Sequence, residues 1–225
     1  QKTCVLFNQS YHMADLAVEG PDALKLLSRL GVNSFAGFVT DKAKQFVPCS
    51  YSGHVIGDVI LFALAPNRFN LVGRIPALNW IRFHAATGGY DVKVELDERS
   101  AARPDPFNRK SYRFQLQGPN AMKVMEKVLG TRPPDLKFFN MGRVSIAGVN
   151  VLTLRHGMVG QPGWELYGPW EEGERVLEAI IAAGKDFGMR QVGARAYSSN
   201  TLESGWIPSP MPAVYTGAEL KAYRE

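Results

Sequence analysis

Glu19-Gly20-Pro21-Asp22-Ala23-Leu24-Lys25-Leu26-Leu27 is echoed further along the chain by Gln117-Gly118-Pro119-Asn120-Ala121-Met122-Lys123-Val124-Met125. In both copies a strand comes before, a Gly-Pro turn opens a helix, and a hairpin and a second helix follow. Pro near a helix start costs little, because the N–H it lacks has no partner in the first turn. Ala23, Leu24, Leu26, Leu27 and Leu30 keep one face of the first helix apolar. The first hairpin is Gly53–Phe62 with Phe69–Val72, broken at Pro66-Asn67, and Ala77–Thr87 reads as its helix. In the second copy the closing helix is Glu171–Gly184. The same order of elements twice implies a pseudo-duplicated α+β architecture. Hairpins alternating with single helices imply antiparallel sheets with helices on one side.

Working outward, Thr3–Phe7 is apolar and β-like, and Asn8-Gln9-Ser10-Tyr11-His12-Met13 interrupts it with polar side chains. Asp15–Val18 and Asp91–Leu96 read as further strands. Residues 97–111 are charged and contain Pro, so they make the best linker. The expected division is therefore 1–98 as a first half, 99–205 as a second half and 206–225 as a lead out of the domain, with halves free to interleave in space. Arg190–Trp206 is an ordered polar segment; Pro208, Pro210 and Pro212 then forbid regular structure, and Gly217–Arg224 has the look of a helix.

Leu154–Tyr167 reads Leu-Arg-His-Gly-Met-Val-Gly-Gln-Pro-Gly-Trp-Glu-Leu-Tyr. Val149, Val151, Leu152 and Leu154 suit a buried strand, and Gly157, Gly160, Pro162 and Gly163 force a compact connection. Trp164 and Leu166 then alternate with Glu165 and Tyr167 as a second strand. Glycines beside Glu165 let a flat ligand approach the backbone. A carboxylate there accepts two parallel hydrogen bonds from the amino and ring N–H groups of a pterin or purine. The plainer alternative is an ordinary hairpin with a surface Glu.

The chain has 225 residues, of which 45% are hydrophobic, enough for one large domain or two small ones. Its 12 Phe, 8 Tyr and 4 Trp can line a site for a planar ligand. The net charge of +5 is interspersed rather than clustered, which suits anionic small molecules and not nucleic acid. Cys4 and Cys49 are too few for a zinc site or a disulfide framework, and reduced thiols in the cytoplasm are the default for such a chain. No stretch approaches the ~18 apolar residues of a membrane helix. Starting without Met, the sequence reads as a segment of a longer protein.

Three stretches carry a resemblance. Asp15–Leu30, the Arg155–Leu166 turn and Tyr197–Gly205 fall in the order and spacing of the folate-binding region of glycine-cleavage T-proteins. In Asn8–Met13, Val55–Phe62, Arg68–Arg74, Tyr112–Ala121 and above all Arg190–Thr216, the chain more closely resembles tetrahydrofolate-dependent aromatic O-demethylases acting on vanillate, syringate or 3-O-methylgallate. Members of that family are longer at both ends, with a C-terminal β-rich domain. The resemblance implies methyl transfer from an aryl methyl ether to N5 of tetrahydrofolate, as part of lignin-derived aromatic catabolism. It implies that Glu165 contacts the pterin and Trp206 borders the folate site; Trp164 and Asp58 are further candidate cofactor contacts. It places His12, Arg74 and Tyr197 around the aromatic substrate.

His12 and Tyr197 are then the candidates for protonating or stabilising the departing phenolate, and Gln9 and Ser10 are further substrate contacts. Arg74 offers a planar fork for a benzoate carboxylate. Each has a structural alternative: a hydrogen-bonded core histidine, a packed aromatic, a surface arginine at a strand end, and for Asp58 a strand-end acceptor. His54, His84 and His156 read as structural. Two departures from T-proteins, Gly57 beside Asp58 where two acids are usual and Gln161 where the turn carries Glu, weigh against aminomethyl chemistry. A third alternative is a non-catalytic folate binder; relatives of that kind carry a Cys in the Gly157–Gly163 loop, and this chain does not. No metal is expected.

Overall fold

The computed structural model describes residues 2–205 and 217–225. They form two compact units: residues 13–99 with 217–225, and residues 2–12 with 100–205. Numbering strands along the chain, β1 (Cys4–Asn8) belongs to the second of these. The first unit contains β2 (Ala14–Glu19), α1 (Ala23–Leu30), β3 (Lys42–Phe46), β4 (Val59–Ala65), β5 (Arg68–Gly73), α2 (Ile75–Thr87) and β6 (Lys93–Asp97). Its sheet runs β3-β4-β5-β2-β6 and is antiparallel throughout. The second unit continues with β7 (Ser111–Gln117), α3 (Ala121–Leu129), β8 (Met141–Ile146), β9 (Val149–Arg155), β10 (Gly163–Pro169), α4 (Gly173–Gly184), β11 (Met189–Val192) and α5 (Ala194–Ser204).

The two units repeat one topology. Matching β2 to β7, β3 to β8 and so on to β6 and β11 turns the first sheet, β6-β2-β5-β4-β3, into β11-β7-β10-β9-β8. The observed order is β11-β1-β7-β10-β9-β8, so the strand from the start of the chain is wedged between β7 and β11. It is antiparallel to β7 and parallel to β11, which leaves β11 in the same sense as β6. This wedge adds detail to two expectations. β1 and β11 form one parallel pair within otherwise antiparallel sheets. Residues 2–12, placed in a 1–98 half that was left free to interleave, pair their backbone groups in the other sheet.

The echoed Gly-Pro turn has a physical cause in both units. Gly20 and Gly118 have φ of +143° and +121°, a region that L side chains rarely adopt. A Cβ on Gly20 would meet Asp91 O at 2.4 Å, and one on Gly118 would meet Thr3 O at 2.7 Å. The residue two positions on donates its backbone N–H to that same carbonyl: Asp22 to Asp91 at 3.3 Å, and Asn120 to Thr3 at 2.9 Å. Each turn thus grips the lead into the neighbouring strand, and β1 occupies the place that β6 holds in the first unit. Gly118→Ala is expected to cost about 2 kcal/mol from backbone strain alone, read as a lowered urea midpoint; an unchanged midpoint would contradict this account of the turn.

Helix burial follows the echo. Ala23, Leu26, Leu27 and Leu30 of α1 are buried, as are Ala121, Val124 and Met125 of α3 at matching positions. Fully burying each such Leu stabilises the fold by roughly 1.5–3 kcal/mol. Helices α1 and α2 cover one apolar core, and α3 and α4 the other. Edge strands β3 and β8 alternate buried with polar residues (Lys42, Lys44; Arg143, Ser145), which suits an edge and hides the strand from a hydrophobic scan. The expected strand from Gly53 begins only at Val59, with Val55 making an isolated bridge to Cys49. Residues 206–225, expected as a lead out of the domain, fall partly outside the described residues. Those described pack in the first unit, where Leu220 is buried and Tyr223 meets Trp80 edge-on at 5.0 Å. No helix among the described residues is long and apolar enough to cross a membrane.

Candidate functional site

Strand alternation splits the second sheet into two kinds of surface. Tyr112, Phe114 and Leu116 of β7 with Trp164 and Leu166 of β10 face the helix-covered core. Arg113, Gln115 and Gln117 with Glu165 and Tyr167 point the other way, and all five are buried. Registers align one row across this second face: Phe7 opposite Gln115, Gln115 opposite Glu165, Glu165 opposite Leu154, and Leu154 opposite Met141.

Glu165 is the ionic centre of that face. Its Oε1 lies 2.9 Å from His156 Nδ1, and its Oε2 lies 3.4 Å from an Arg113 guanidinium nitrogen. Burial pushes the carboxyl pKa up, but the hydrogen bond and charge of His156 and the charge of Arg113 outweigh it and hold the group below the usual carboxylate range. An ionised carboxylate only accepts, so His156 Nδ1 carries the shared hydrogen. Arg113 also sits over the Tyr167 ring, 4.8 Å from its centroid.

Beside Glu165 runs a ladder of amides. Gln9 Nε2 donates to Gln115 Oε1 at 2.7 Å, and Gln115 Nε2 to Gln117 Oε1 at 3.1 Å. The same Gln117 oxygen accepts from Met158 N–H at 3.0 Å, which fastens the Gly-rich turn to β7. Gln117 Nε2 is buried without a hydrogen-bond partner among the described residues. That is a costly condition for a donor and leaves it available to a ligand acceptor. The turn is closed by His156 N–H to Gly163 O at 3.1 Å and Gln161 N–H to Met158 O at 3.0 Å. Val159 and Phe139, at φ of +51° and +59°, are non-glycine residues in the left-handed region near it. Phe139 lies against the His156 ring, with centroids 5.3 Å apart.

The structure brings together two of the expected catalytic residues. His12, exposed after β1, and Tyr197 of α5 meet edge-on with ring centroids 5.7 Å apart. Tyr197 also meets Phe7 at 5.6 Å, which ties the pair to the row that contains Glu165. Gln9 lies in the amide ladder. Ser10, expected at the substrate, serves the sheet: its hydroxyl accepts from Arg113 N–H at 2.9 Å and donates to Arg113 O at 3.2 Å.

Trp164 is a correction. Period-two alternation puts it on the opposite face from Glu165, fully buried in the apolar core, so it cannot line the same ligand. In the first unit, Arg74 is exposed between the end of β5 and the start of α2. Asp58 accepts from Gln45 Nε2 at 2.8 Å just before β4, the strand-end acceptor role. A side chain on the preceding Gly57 would meet Ala77 Cβ at 3.1 Å, a packing reason for the missing acid. Trp206 lies outside the described residues. Sequence reasoning missed Arg113 and His156. The alternation in Ser111–Gln117 held the first signal; His156 gave none beyond its place nine residues before Glu165, at the other end of the turn.

Cys4 is buried, and burial pushes its thiol up to about 12, so it is inert. No group of three or more His, Cys, Asp or Glu side chains suited to a metal occurs among the described residues.

Comparison with known proteins places the chain in a family. The family model of the GCVT N-terminal domain matches residues 1–209. The chain is 60% identical over 224 residues to a syringate O-demethylase of a Sphingobium species, covering 100% of this chain and 48% of that protein. It is 31% identical to a sesamin methylene transferase of a Sinomonas species, over 84% of this chain and 39% of that one. An aminomethyltransferase of Halothermothrix orenii is 30% identical over 90% of this chain and 54% of its own length. Among solved structures, aminomethyltransferase T of the glycine cleavage system from Bartonella henselae superposes with a TM-score of 0.70 at 24% identity, covering 91% of this chain and 52% of that one. That last likeness shows the fold alone. The chain spans about half the length, or less, of these curated relatives. With a family model matched across nearly the whole sequence and the repeated α+β units beneath it, the chain belongs to the GCVT N-terminal domain family.

Proposed function

We propose that the protein transfers the methyl group of a methoxylated aromatic acid, of the vanillate, syringate or 3-O-methylgallate kind, to N5 of tetrahydrofolate. The observation that carries this is the row on the polar sheet face. An ionised Glu165 stands at one place in it and the His12–Tyr197 pair adjoins Phe7 two strands away, roughly 10 Å at normal strand spacing. That interval suits a flat bicyclic ligand lying across β7 with its reacting edge toward the two rings. The 60% identity to a syringate O-demethylase supports the same chemistry.

The residues present fit a reduced pteridine. A carboxylate offers about four lone-pair sites, and His156 and Arg113 each take one, leaving acceptors for an amino and a ring N–H. Gln117 Nε2 supplies an unused donor for a ring oxygen or nitrogen. When bound, tetrahydrofolate would supply the nucleophilic nitrogen: the N–CH3 bond would form as the CH3–O bond breaks, the aryl oxygen would keep the electron pair, and the proton lost from N5 would balance the one the phenolate takes up. Holding the two reacting centres collinear supplies ~7–11 kcal/mol of the barrier. A free phenolate resembles that of Tyr, with a pKa of about 10, so a donor must meet it at neutral pH. His12 and Tyr197 stand ready for that, as proton donor or as hydrogen-bond stabiliser. A cytoplasmic setting accords with the two unpaired thiols.

Mixing the intact protein with tetrahydrofolate and a panel of methoxybenzoates is expected to give phenol or catechol products, seen by chromatography, together with methylated folate. No product from any carboxylated methoxyarene would reject the proposal. Arg74→Ala is expected to raise KM for carboxylated substrates roughly tenfold to a hundredfold, the worth of one charged hydrogen bond. Equal loss for an uncharged methoxyphenol would remove Arg74 from carboxylate recognition.

A further inference from the structure

We propose that His156 is a positioning residue for ligand recognition: its Nδ1–H fixes the plane of the Glu165 carboxylate, so that the two unused lone pairs converge on a flat ligand bearing adjacent N–H donors. The proposal rests on the reading of Glu165 as the ligand's acceptor. Three observations carry it. First, the 2.9 Å contact from His156 is the short one, whereas Arg113 stands off at 3.4 Å, so the imidazole sets the carboxylate's rotation. Second, the imidazole is itself held. Its backbone N–H is tied to Gly163 O at 3.1 Å, and its ring lies against Phe139 at 5.3 Å and Phe138 at 6.1 Å. Third, Phe139 stays in the left-handed region at φ +59° while its N–H donates to Arg155 O at 2.9 Å, placing backbone strain where the imidazole is supported.

The groups facing Glu165 come from two elements. Arg113 and the uncharged Gln115 lie on β7, and His156 lies at the end of the Gly-rich turn. Removing the imidazole leaves the buried carboxylate its Arg113 contact at 3.4 Å and takes away the shorter bond and its charge. Burial then acts with less opposition, and the carboxyl takes up a proton at higher pH than in the natural protein. A protonated Glu165 loses an acceptor position, so ligand affinity falls more steeply with falling pH in the variant than in the natural protein.

The test is anaerobic titration of the intact protein with tetrahydrofolate, followed by tryptophan fluorescence or calorimetry between pH 5.5 and pH 8, with circular dichroism to verify folding. His156→Leu is expected to bind about tenfold more weakly at pH 8, the loss of one hydrogen bond to a charged group, and the deficit is expected to widen as pH falls. His156→Asn, whose amide nitrogen can take the place of Nδ1, is expected to stay within about threefold of the natural protein with a constant ratio across pH. Natural affinity and profile in His156→Leu, or an Asn variant as poor as the Leu variant, would overturn the proposal. Should the Leu variant not fold, the Asn variant decides by the same criterion. Glu165→Gln separates the two levels: if it binds normally, the reading of Glu165 itself falls. If it loses binding while His156→Leu does not, only the role of His156 falls.

Discussion

Arg113→Met is expected to destabilise the protein by about 3–5 kcal/mol at pH 7, the usual consequence of stripping one partner from a buried ion pair. Arg113 and Glu165 side chains are only 5% and 8% exposed, so water cannot replace the lost cation. The effect should depend on pH in a definite direction. In the natural protein the Glu165 carboxyl is held below its ordinary value, so its contribution is fully present above the unfolded pKa and fades as pH falls through the folded one. In the variant, burial acts against a weaker opposing field, so the ionised carboxylate becomes a liability near neutrality that protonation relieves. The gap between variant and natural protein is therefore expected to be widest at pH 7 and to have narrowed by about pH 4, near the ordinary carboxylate value, because the variant takes up its proton first. Urea denaturation at both pH values reads this directly. Adding Glu165→Leu to Arg113→Met should restore part of the loss, because no uncompensated charge is then buried. A deficit below about 1 kcal/mol at pH 7, or a double variant no better than the single one, would show that the pair does not hold the sheet face together.

The echo around Gly20 and Gly118 shows how far the fold was legible. Its Gly is demanded by positive φ and by a neighbouring carbonyl, its Pro by the helix start, and its Ala, Leu and Val spacing by the core. All three are local demands, so they leave a mark in sequence. The wedge of β1 between β7 and β11 is not local: nothing in Cys4–Asn8 names its partners, and pairing of distant strands is set by the assembled sheet. The candidate site divides along the same line. Glu165 stood out as a candidate because glycines crowd the turn before it. Arg113, Gln115 and Gln117 alternate with apolar residues along one strand, and alternation reveals which residues share a face but not what covers it. Trp164 shows the converse. It was expected beside the same cofactor as Glu165, while the two-residue period of a strand places neighbours on opposite faces. His156 stayed hidden because its partner lies across a turn whose closure depends on Gln117 of another strand.

Gly157→Ala is expected to weaken tetrahydrofolate binding on the order of a hundredfold, the equivalent of two lost charge-assisted hydrogen bonds. A Cβ at this position would lie 1.8 Å from Gln161 O and 3.1 Å from Gly163 N, both backbone atoms that no rotamer change can move aside. Relief requires the turn to open. That breaks the Gln161 N–H to Met158 O bond at 3.0 Å and pulls Met158 from Gln117. His156 precedes Gly157 directly, so the same displacement draws its Nδ1 from Glu165, and the acceptor loses its orientation. Gly160 serves as the internal control. It sits in the same turn at φ +70°, yet a Cβ there meets nothing within 4 Å. Gly160→Ala should therefore carry only the backbone cost of a left-handed alanine, about 1–2 kcal/mol of stability, with folate binding changed little. Calorimetry on both variants distinguishes turn shape from turn rigidity as the basis of binding. If both glycine variants bind tetrahydrofolate as well as the natural protein, the ligand does not rest on this turn, and the assignment of Glu165 to it fails as well.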